Sequence, residues 1–231
     1  MTTKYINKDL ALQRGREAIG KSFREINQII IDSGGIDGST NTKGGLGNIL
    51  QLGWFEIPVN SRAEADLESA GIEIKVTGYK EKPTGGFQAK ERLVCNIINY
   101  MDENLDDFNE SSFWKKNKSI LLFVYRYVKG RDRHEAVITD VHLIDFEADE
   151  YREDLDVIKK DWEIITNKIK SGNAHILSES DTQYLGAATK GATAATSLRT
   201  QPFSDTMAKQ RAYSLKSQYL TKLLRSKFEM Y

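Results

Sequence analysis

The stretch at residues 66–76 combines a strand pattern with a cluster of charges, and it constrains this chain more than any other segment. Glu73 and Lys75 alternate with apolar residues, so in an extended strand the charged side chains face one way and the apolar ones the other. The apolar residues are Ile72, Ile74 and Val76. Gly71 permits a tight turn before the strand, and such a turn would fold Asp66 back beside Glu73. The pattern predicts two carboxylates and an ammonium group in one pocket.

This trio of charges suits a hard divalent cation. Mg²⁺ takes oxygen ligands in octahedral geometry and is usually held by one or two carboxylates together with substrate phosphate. Asp66 and Glu73 are the candidate ligands, and Lys75 would orient a water and offset charge on a phosphoryl group. The implied reaction is phosphodiester hydrolysis. A half-buried strand with a solvated, ion-paired face would show the same pattern, so the stretch alone leaves both interpretations open.

The charge distribution bears on binding to a polyanion. The 231 residues suffice for one good-sized domain or a two-lobed one. Basic and acidic residues number 33 each, so nucleic-acid binding would depend on local segregation of charge. From residue 189 to residue 231 there are eight basic and two acidic residues. The bases are Lys190, Arg199, Lys209, Arg211, Lys216, Lys222, Arg225 and Lys227. The C-terminal part is therefore the basic part of the chain.

Cysteine and histidine usage argues against two other kinds of site. Cys95 is the single cysteine, which excludes an internal disulfide, and its apolar neighbours favour a small core residue in a reducing cytosol. His134 and Glu135 begin like a zinc motif, but Ile138 stands where the second histidine would be. No apolar run resembles a signal peptide or approaches the roughly 20 residues of a membrane span. We expect a soluble cytoplasmic protein without a membrane partner.

Hydrophobic periodicity predicts an order of helices and strands. Helices are predicted at 8–31, from 44 through 50 with an extension to 54–55, at 154–171 and at 217–228. Strands are predicted at 72–76, 93–98, 120–128, 136–144 and 209–216. The segments 93–98 and 120–128 are apolar enough for central strands buried on both faces. Polar connections are predicted at 33–42, 80–88, 111–118 and 184–199.

Several blocks of sequence together resemble one protein family. The run Lys-Gly-Gly-Leu-Gly-Asn-Ile-Leu at 43–50, then Asp66 and Gly-Ile-Glu-Ile-Lys at 71–75, resembles the active-site block of the MutH mismatch-repair nuclease and its GATC-cutting restriction endonuclease relatives. Further blocks follow in the family's order at 90–94, 96–100, 161–164, 189–192 and 208–217. The resemblance covers nearly the whole chain and is greatest to the catalytic half of the restriction enzymes.

The resemblance implies a mixed α/β fold of the restriction-endonuclease type, with helices flanking a central mixed sheet and two lobes around a DNA cleft. Residues 1–231 would form a single nuclease domain, with a catalytic lobe at roughly 1–150 and a C-terminal recognition lobe at roughly 151–231. Asp66, Glu73 and the Ile74 carbonyl would bind Mg²⁺, and Lys75 would position the attacking water. The family usually has a glutamate at the position of Gln51, so Gln51 would be a weakened catalytic helper.

By the same resemblance, the substrate is double-stranded DNA, cut at a short site that is most plausibly GATC, to leave 5′-phosphate and 3′-hydroxyl ends. Contacts to bases would come from Glu91, Lys190, Gly191 and Tyr213. Contacts to the backbone would come from Lys43, Gly44, Lys116, Lys118 and Lys216, which would make binding salt-dependent. By pattern alone, Tyr213 would be a core residue on a strand, and Lys190 would lie in an ordinary surface loop.

Two alternatives stay open. One is a DNA-binding module with impaired catalysis, which Gln51 suggests. The other is a repair nickase driven by a MutL-type partner, which the restriction-like C-terminal third of the chain disfavours. The chain would be either a fragment of a longer two-copy enzyme or a short form that acts as a homodimer on DNA.

Overall fold

The computed structural model describes Tyr5 and residues 7–35, 37–38, 45–58, 64–191 and 197–227. Within these ranges it contains six α-helices and nine strands. The helices are α1 (Lys8–Arg16), α2 (Phe23–Asp32), α3 (Gly45–Asn48), α4 (Ser112–Asn117), α5 (Arg152–Lys170) and α6 (Ser217–Lys227). The strands are β1 (Glu73–Glu81), β2 (Phe87–Ala89), β3 (Leu93–Ile98), β4 (Ser119–Arg126), β5 (Ile138–Asp145), β6 (Leu185–Thr189), β7 (Leu198–Gln201), β8 (Ser204–Lys209) and β9 (Arg211–Leu215). None of the described helices is both long and apolar enough to cross a bilayer.

The chain divides into two compact units that are interleaved in sequence. The first comprises Met1–Glu91, Ser119–Asp145 and Thr221–Tyr231, and the second comprises Arg92–Lys118 and Phe146–Leu220. In the first unit the described strands form one mixed sheet in the order β2-β1-β4-β5, in which β1 and β4 are parallel and the other pairs antiparallel. This confirms the predicted mixed α/β class with a central mixed sheet and flanking helices. The catalytic and recognition lobes stay a prediction.

The core of the first unit is built on β4. This strand lies between β1 and β5 and is buried from Ser119 to Tyr125, as predicted for a central strand. Helices α1 and α2 contribute Ala11, Phe23 and Ile26 to the same apolar cluster. At Gly15 on α1 an added Cβ would lie 2.9 Å from Val141 Cγ1, so the helix approaches the sheet too closely for a larger residue.

The single helix predicted at 8–31 is wrong, because the structure has two helices there. Gly20 has φ +83°, a left-handed conformation that ends a helix, and its N–H donates to the Ile138 carbonyl at 2.9 Å. Ser22 then begins α2 with a capping box, in which its hydroxyl accepts from Glu25 N–H and the Glu25 carboxylate accepts from Ser22 N–H. The hydrogen bond between Gly20 and Ile138 of β5 keeps α1 and α2 separate.

In the second unit the described strands form a three-stranded antiparallel sheet, β3-β9-β6, and a separate hairpin, β7-β8. The prediction that 93–98 is a central strand is wrong, because β3 pairs only with β9 and leaves Ile97 44% exposed. Helix α5 confirms the predicted amphipathic helix, with Ile158, Trp162, Ile165 and Ile169 buried. Gly172, at φ +69°, follows its end.

Two predicted connections contain regular structure. Residues 111–118 form α4, which starts where the Ser111 hydroxyl accepts from the Trp114 N–H at 3.2 Å. The segment 184–199 contains β6, whose small residues are almost all buried. Propensity alone misses both, because a serine-rich start and a run of Gly and Ala are typical of loops as well.

Candidate active site

A short turn places Asp66 beside the start of β1. Leu67 and Ile72 form an isolated antiparallel bridge, with Leu67 N–H donating to the Ile72 carbonyl at 2.9 Å and Ile72 N–H donating back at 3.3 Å. A 3₁₀ turn spans Glu68–Ala70, and Gly71 has φ +65° and ψ +34°. Glycine adopts this left-handed region without steric cost. The turn predicted at Gly71 is thus present, and it returns Asp66 to the first residues of the strand.

Three hydrogen bonds connect the charged residues of the site. Asp66 Oδ2 accepts from Ile74 N–H at 3.0 Å, and Glu73 Oε2 accepts from Asp66 N–H at 3.2 Å. Lys75 Nζ donates to Glu73 Oε1 at 2.6 Å. Asp66 therefore binds the backbone of the residue after Glu73, and Glu73 binds the backbone of Asp66. The Lys75 ammonium group compensates the charge of Glu73. The structure brings Asp66, Glu73 and Lys75 together as the sequence predicts.

The charged face of β1 is enclosed rather than solvated. The Glu73 side chain is 3% exposed and the Lys75 side chain is 17% exposed. A carboxylate with so little access to water remains ionised only when it is paired and hydrogen-bonded. The Lys75 ammonium and the Asp66 N–H supply both kinds of partner. The solvated, ion-paired strand that the sequence also allowed does not describe this site.

The open edge of β1 adds a backbone oxygen to the site. Strand β2 pairs only with Tyr79–Glu81, so along residues 73–77 no described strand covers the edge of β1 opposite β4. Ile74 N–H points to that edge, because it donates to Asp66. In a strand the N–H and C=O of one residue point to the same side. The Ile74 carbonyl therefore faces the edge where the two carboxylates lie.

These donors fit a magnesium ion. Two carboxylates and a carbonyl are hard oxygen ligands, and Mg²⁺ characteristically takes few protein ligands and keeps several waters. Asp66 Oδ2 and both Glu73 oxygens accept protein hydrogen bonds, while Asp66 Oδ1 accepts none of these three. Across the described ranges, no group of three or more His, Cys, Asp or Glu side chains is arranged to hold a metal. Among the described residues, Asp66 and Glu73 are the two acids placed to bind a cation here.

Gln51 occupies an unusual helical segment. It lies in a π-helical stretch, Ile49–Trp54, that continues α3, and Phe55 N–H donates to the Leu50 carbonyl at 2.8 Å. Such segments are rare and occur frequently at functional sites. The Gln51 carbonyl accepts from Ile57 N–H at 2.8 Å, and the residue is half-buried. α3 packs against β1, so the segment belongs to the same unit as Glu73.

The remaining predicted DNA contacts of the first unit are less defined. Glu91 is exposed, and it forms a surface ion pair with Lys90 at 3.3 Å. An exposed acid of this kind remains accessible to a base edge. Lys43 and Gly44 lie outside the described residues.

Lys116 and Lys118 lie at the end of α4 in the second unit. Both are half-buried, and Lys118 Nζ lies 3.4 Å from Glu147 Oε1 in a solvent-accessible ion pair. Such pairs contribute little to stability and exchange easily for another anion. Lys118 thus remains available for a phosphate.

Lys190 and Gly191 directly follow β6. Lys190 N–H donates to the Gln210 carbonyl at 2.8 Å, so Lys190 is held to the strand next to it. Gly191 has φ +118°, and an added Cβ would lie 2.5 Å from Ser197 Cβ. Both the backbone conformation and the space therefore require glycine at position 191. The structure keeps the two residues together at the end of a strand.

The predicted base contact of Tyr213 is wrong. The ring is 0% exposed and packs edge-to-face on Phe113, with 5.7 Å between the ring centroids. Burial raises the pKa of the Tyr213 hydroxyl well above its ordinary value. A side chain with no accessible surface has nothing to present to DNA. Tyr213 is a core residue of the second unit, as the strand pattern alone suggests.

The phosphate contact predicted for Lys216 stays a prediction, because the residue is half-buried and its ammonium group also makes internal hydrogen bonds. Its Nζ donates to the Glu179 carbonyl at 2.7 Å and to the Thr182 carbonyl at 2.5 Å. Because an ammonium group has three donors, two of them are committed to the backbone of this unit. Lys216 thus anchors the segment before β6.

Sequence reasoning quoted Asp161 only as part of a family block and gave it no role. It is 3% exposed on α5 and accepts three backbone N–H bonds from residues 183–185. One signal would have found it. Asp161 stands three residues after Ile158 and four before Ile165, on the apolar face of an amphipathic helix, where a charged residue needs partners.

Comparison with known proteins agrees with the geometry. Residues 55–161 match the MutH family, described as DNA mismatch repair enzyme MutH, and this range includes Asp66, Glu73 and Lys75. Over 221 residues the chain is 42% identical to the type II restriction enzyme Sau3AI of Staphylococcus aureus. This match covers 96% of the chain and 43% of Sau3AI, so the chain spans about two fifths of the length of that relative. The chain is thus similar to MutH over residues 55–161 and to a type II restriction enzyme over nearly its whole length.

Proposed function

We propose that this chain is a Mg²⁺-dependent endonuclease that hydrolyses double-stranded DNA at a short specific site, GATC. The observation that carries the proposal is the cluster of Asp66, Glu73 and Lys75 at the open edge of β1. A buried acid beside an ammonium group costs solvation, and such arrangements are found preferentially at functional sites. The 42% identity to a type II restriction enzyme supports the same assignment.

Each residue of the cluster has a distinct task in this proposal. Asp66, Glu73 and the Ile74 carbonyl bind the cation. Bound Mg²⁺ would supply Lewis-acid stabilisation of charge that develops on the phosphate. Lys75 donates hydrogen bonds to the attacking water and to a phosphate oxygen, which aligns the water and offsets negative charge. The Lys75–Glu73 ion pair keeps the ammonium group at the site before DNA arrives.

We divide recognition of the site between residues that contact bases and residues that contact the DNA backbone. We assign contacts with base edges to Lys190, Gly191 and Glu91. Gly191 lets the backbone approach closely, and a lysine or a carboxylate reads hydrogen-bonding groups in the major groove. Backbone contacts are assigned to Lys43, Gly44, Lys116 and Lys118, which gives binding its salt dependence and positions the protein on the duplex.

Digestion of a plasmid with known GATC positions tests the proposal. With Mg²⁺ we expect cuts that map to GATC and leave 5′-phosphate ends, and with a chelator we expect none. Methylated and unmethylated plasmids run in parallel reveal any sensitivity to methylation. Since the described residues contain one such cluster, a double-strand cut requires two copies on the DNA or two successive nicks. Sedimentation on a short duplex distinguishes these. Robust double-strand cutting without any partner would exclude a MutL-driven nickase.

Gln51 favours a second candidate, a DNA-binding module with impaired catalysis. An amide at position 51 supplies no negative charge, which leaves Asp66 and Glu73 as the acids proposed to bind the cation. In this case the chain binds GATC duplexes in a gel-shift assay but does not nick the plasmid with Mg²⁺. Comparison of the Gln51→Glu variant with the wild type shows whether Gln51 reduces cleavage or abolishes it. A gain of cutting in Gln51→Glu over an inactive wild type would establish the second candidate.

A further inference from the structure

We propose that Asp161 and Lys216 are positioning residues that set the register of β6 and thereby the place of Lys190 on DNA. This inference rests on the proposed function, because it concerns the residues that read the site. Asp161 and Lys216 hold the chain just before β6, and Lys190 follows directly after it.

Asp161 fixes three consecutive amides. Its Oδ1 accepts from Gln183 N–H at 2.8 Å, and its Oδ2 accepts from Tyr184 N–H at 2.5 Å and Leu185 N–H at 2.8 Å. Bonds from an ionised acceptor are about twice as strong as neutral ones. Since Asp161 lies on the long helix α5, the first residue of β6 is tied to a rigid element.

Lys216 holds the same segment from the other side. Its ammonium group donates to the carbonyls of Glu179 and Thr182, and its backbone N–H donates to the Tyr184 carbonyl at 2.9 Å. The segment 179–185 therefore presents carbonyls to a cation and amides to an anion. The Asp161 carboxylate on α5 thus binds the amides of this segment, and the Lys216 ammonium group after β9 binds its carbonyls.

The sequence of β6 explains why these hydrogen bonds are needed. Three of its five residues, Gly-Ala-Ala, are small, and among the described strands β6 is an edge strand that pairs with β9 alone. Strands that are rich in glycine specify their register weakly, and a slip by one residue turns every side chain to the opposite face. Lys190, the residue after β6, would turn with them. The two charged anchors supply the register that the small side chains do not.

The closing experiment compares Asp161→Asn and Lys216→Met with Asp154→Asn. Asp154 is a matched control, because it is also a buried acid on α5 but accepts from the Tyr219 hydroxyl at 3.0 Å, whereas the N–H groups of 183–185 donate to Asp161. The first readout is the ratio of cleavage rates at GATC and at sites altered by one base pair. Loss of one base contact corresponds to about a 5- to 150-fold loss of discrimination. We expect that loss in both test variants and less than about a twofold change in Asp154→Asn.

A second readout separates positioning from a phosphate contact. Loss of one phosphate contact reduces the slope of log binding constant against log salt concentration by about 0.9. We expect Lys216→Met to keep the wild-type slope while it loses discrimination. A reduced slope would overturn the inference for Lys216. Unchanged discrimination in both test variants would overturn the inference as a whole.

A third readout does not depend on DNA. Amide hydrogen exchange of residues 183–189 should accelerate in Asp161→Asn and not in Asp154→Asn, since only the former loses an anchor of β6. Equal protection in the two variants would contradict the positioning role. If the wild type neither binds nor cuts GATC duplexes, the proposed function fails, and the exchange result still decides whether Asp161 sets the strand. Lys216→Met provides the same test where Asp161→Asn does not fold.

Discussion

Asp66 has two tasks in this structure, and two substitutions separate them. Its carboxylate is a proposed metal ligand, and its Oδ2 also accepts the N–H of Ile74 at 3.0 Å. Ile74 is 4% exposed, so water would not readily replace this acceptor. Asp66→Asn keeps an acceptor oxygen and removes the charge, while Asp66→Ala removes both. Asp66→Ala would spare folding if Asp66 were only a metal ligand, whereas the hydrogen bond to Ile74 predicts a loss of stability.

The magnitudes follow from these contacts. A buried N–H left without an acceptor costs about 1–3 kcal/mol, so Asp66→Ala should lower the free energy of unfolding by that amount. Asp66→Asn should stay within about 0.5–1 kcal/mol of the wild type, because it retains a neutral hydrogen bond. Both should lose at least about 100-fold in cleavage rate, since a metal ion supplies several kcal/mol and each 1.36 kcal/mol is a factor of ten.

Urea unfolding and Mg²⁺-dependent plasmid cleavage, measured on the same preparations, test both parts. Asp145→Asn is the control, because Asp145 is an acid of the same unit that accepts from the Ser119 hydroxyl at 3.0 Å. It should cleave at the wild-type rate. Cleavage by Asp66→Asn at the wild-type rate would refute the metal assignment. An Asp66→Ala protein as stable as the wild type would refute the role of the Ile74 bond.

Three further predictions concern single side chains. Lys75→Met should abolish cutting but retain most DNA binding in a gel shift. Because it removes the partner of buried Glu73, it should also lower the free energy of unfolding in urea by up to about 3 kcal/mol. Undiminished cutting would show that Lys75 has no part in the mechanism. Burial raises the pKa of the Glu103 carboxyl above its ordinary 4.5, so the folded chain keeps this proton to higher pH than the unfolded chain. The contribution of the protonated Glu103 to the free energy of unfolding is therefore lost as pH rises from 4.5 through the folded pKa. The stability of Glu103→Gln relative to the wild type should therefore increase with pH in unfolding series between about pH 4 and pH 8, and a flat difference would contradict this. Phe203 is 76% exposed at φ +63°, so Phe203→Asn should raise the free energy of unfolding by about 1 kcal/mol, and a loss of stability would show that the ring makes an important contact.

The local patterns of the sequence predicted the centre of the site well. Alternation at 72–76 and a glycine at 71 are features of neighbouring residues, and they suffice to form a turn and a strand that bring Asp66 to Glu73. Helix α5 and strand β4 were predicted for the same reason, since their periodicity is strong over many residues. The break after α1 was missed because it depends on a contact between Gly20 and β5.

The sequence by itself determined which residues share a face of a strand or helix, because side-chain direction follows from the backbone period. Only the tertiary structure decided what each face meets. Glu73 is enclosed beside Lys75, Tyr213 packs on Phe113 instead of reaching outward, and Lys216 binds carbonyls. Asp161 acquires its role from amides 22 to 24 residues further along the chain. Pairing and register arise between segments distant in sequence, so a local pattern can indicate that a side chain is buried but does not specify its partner.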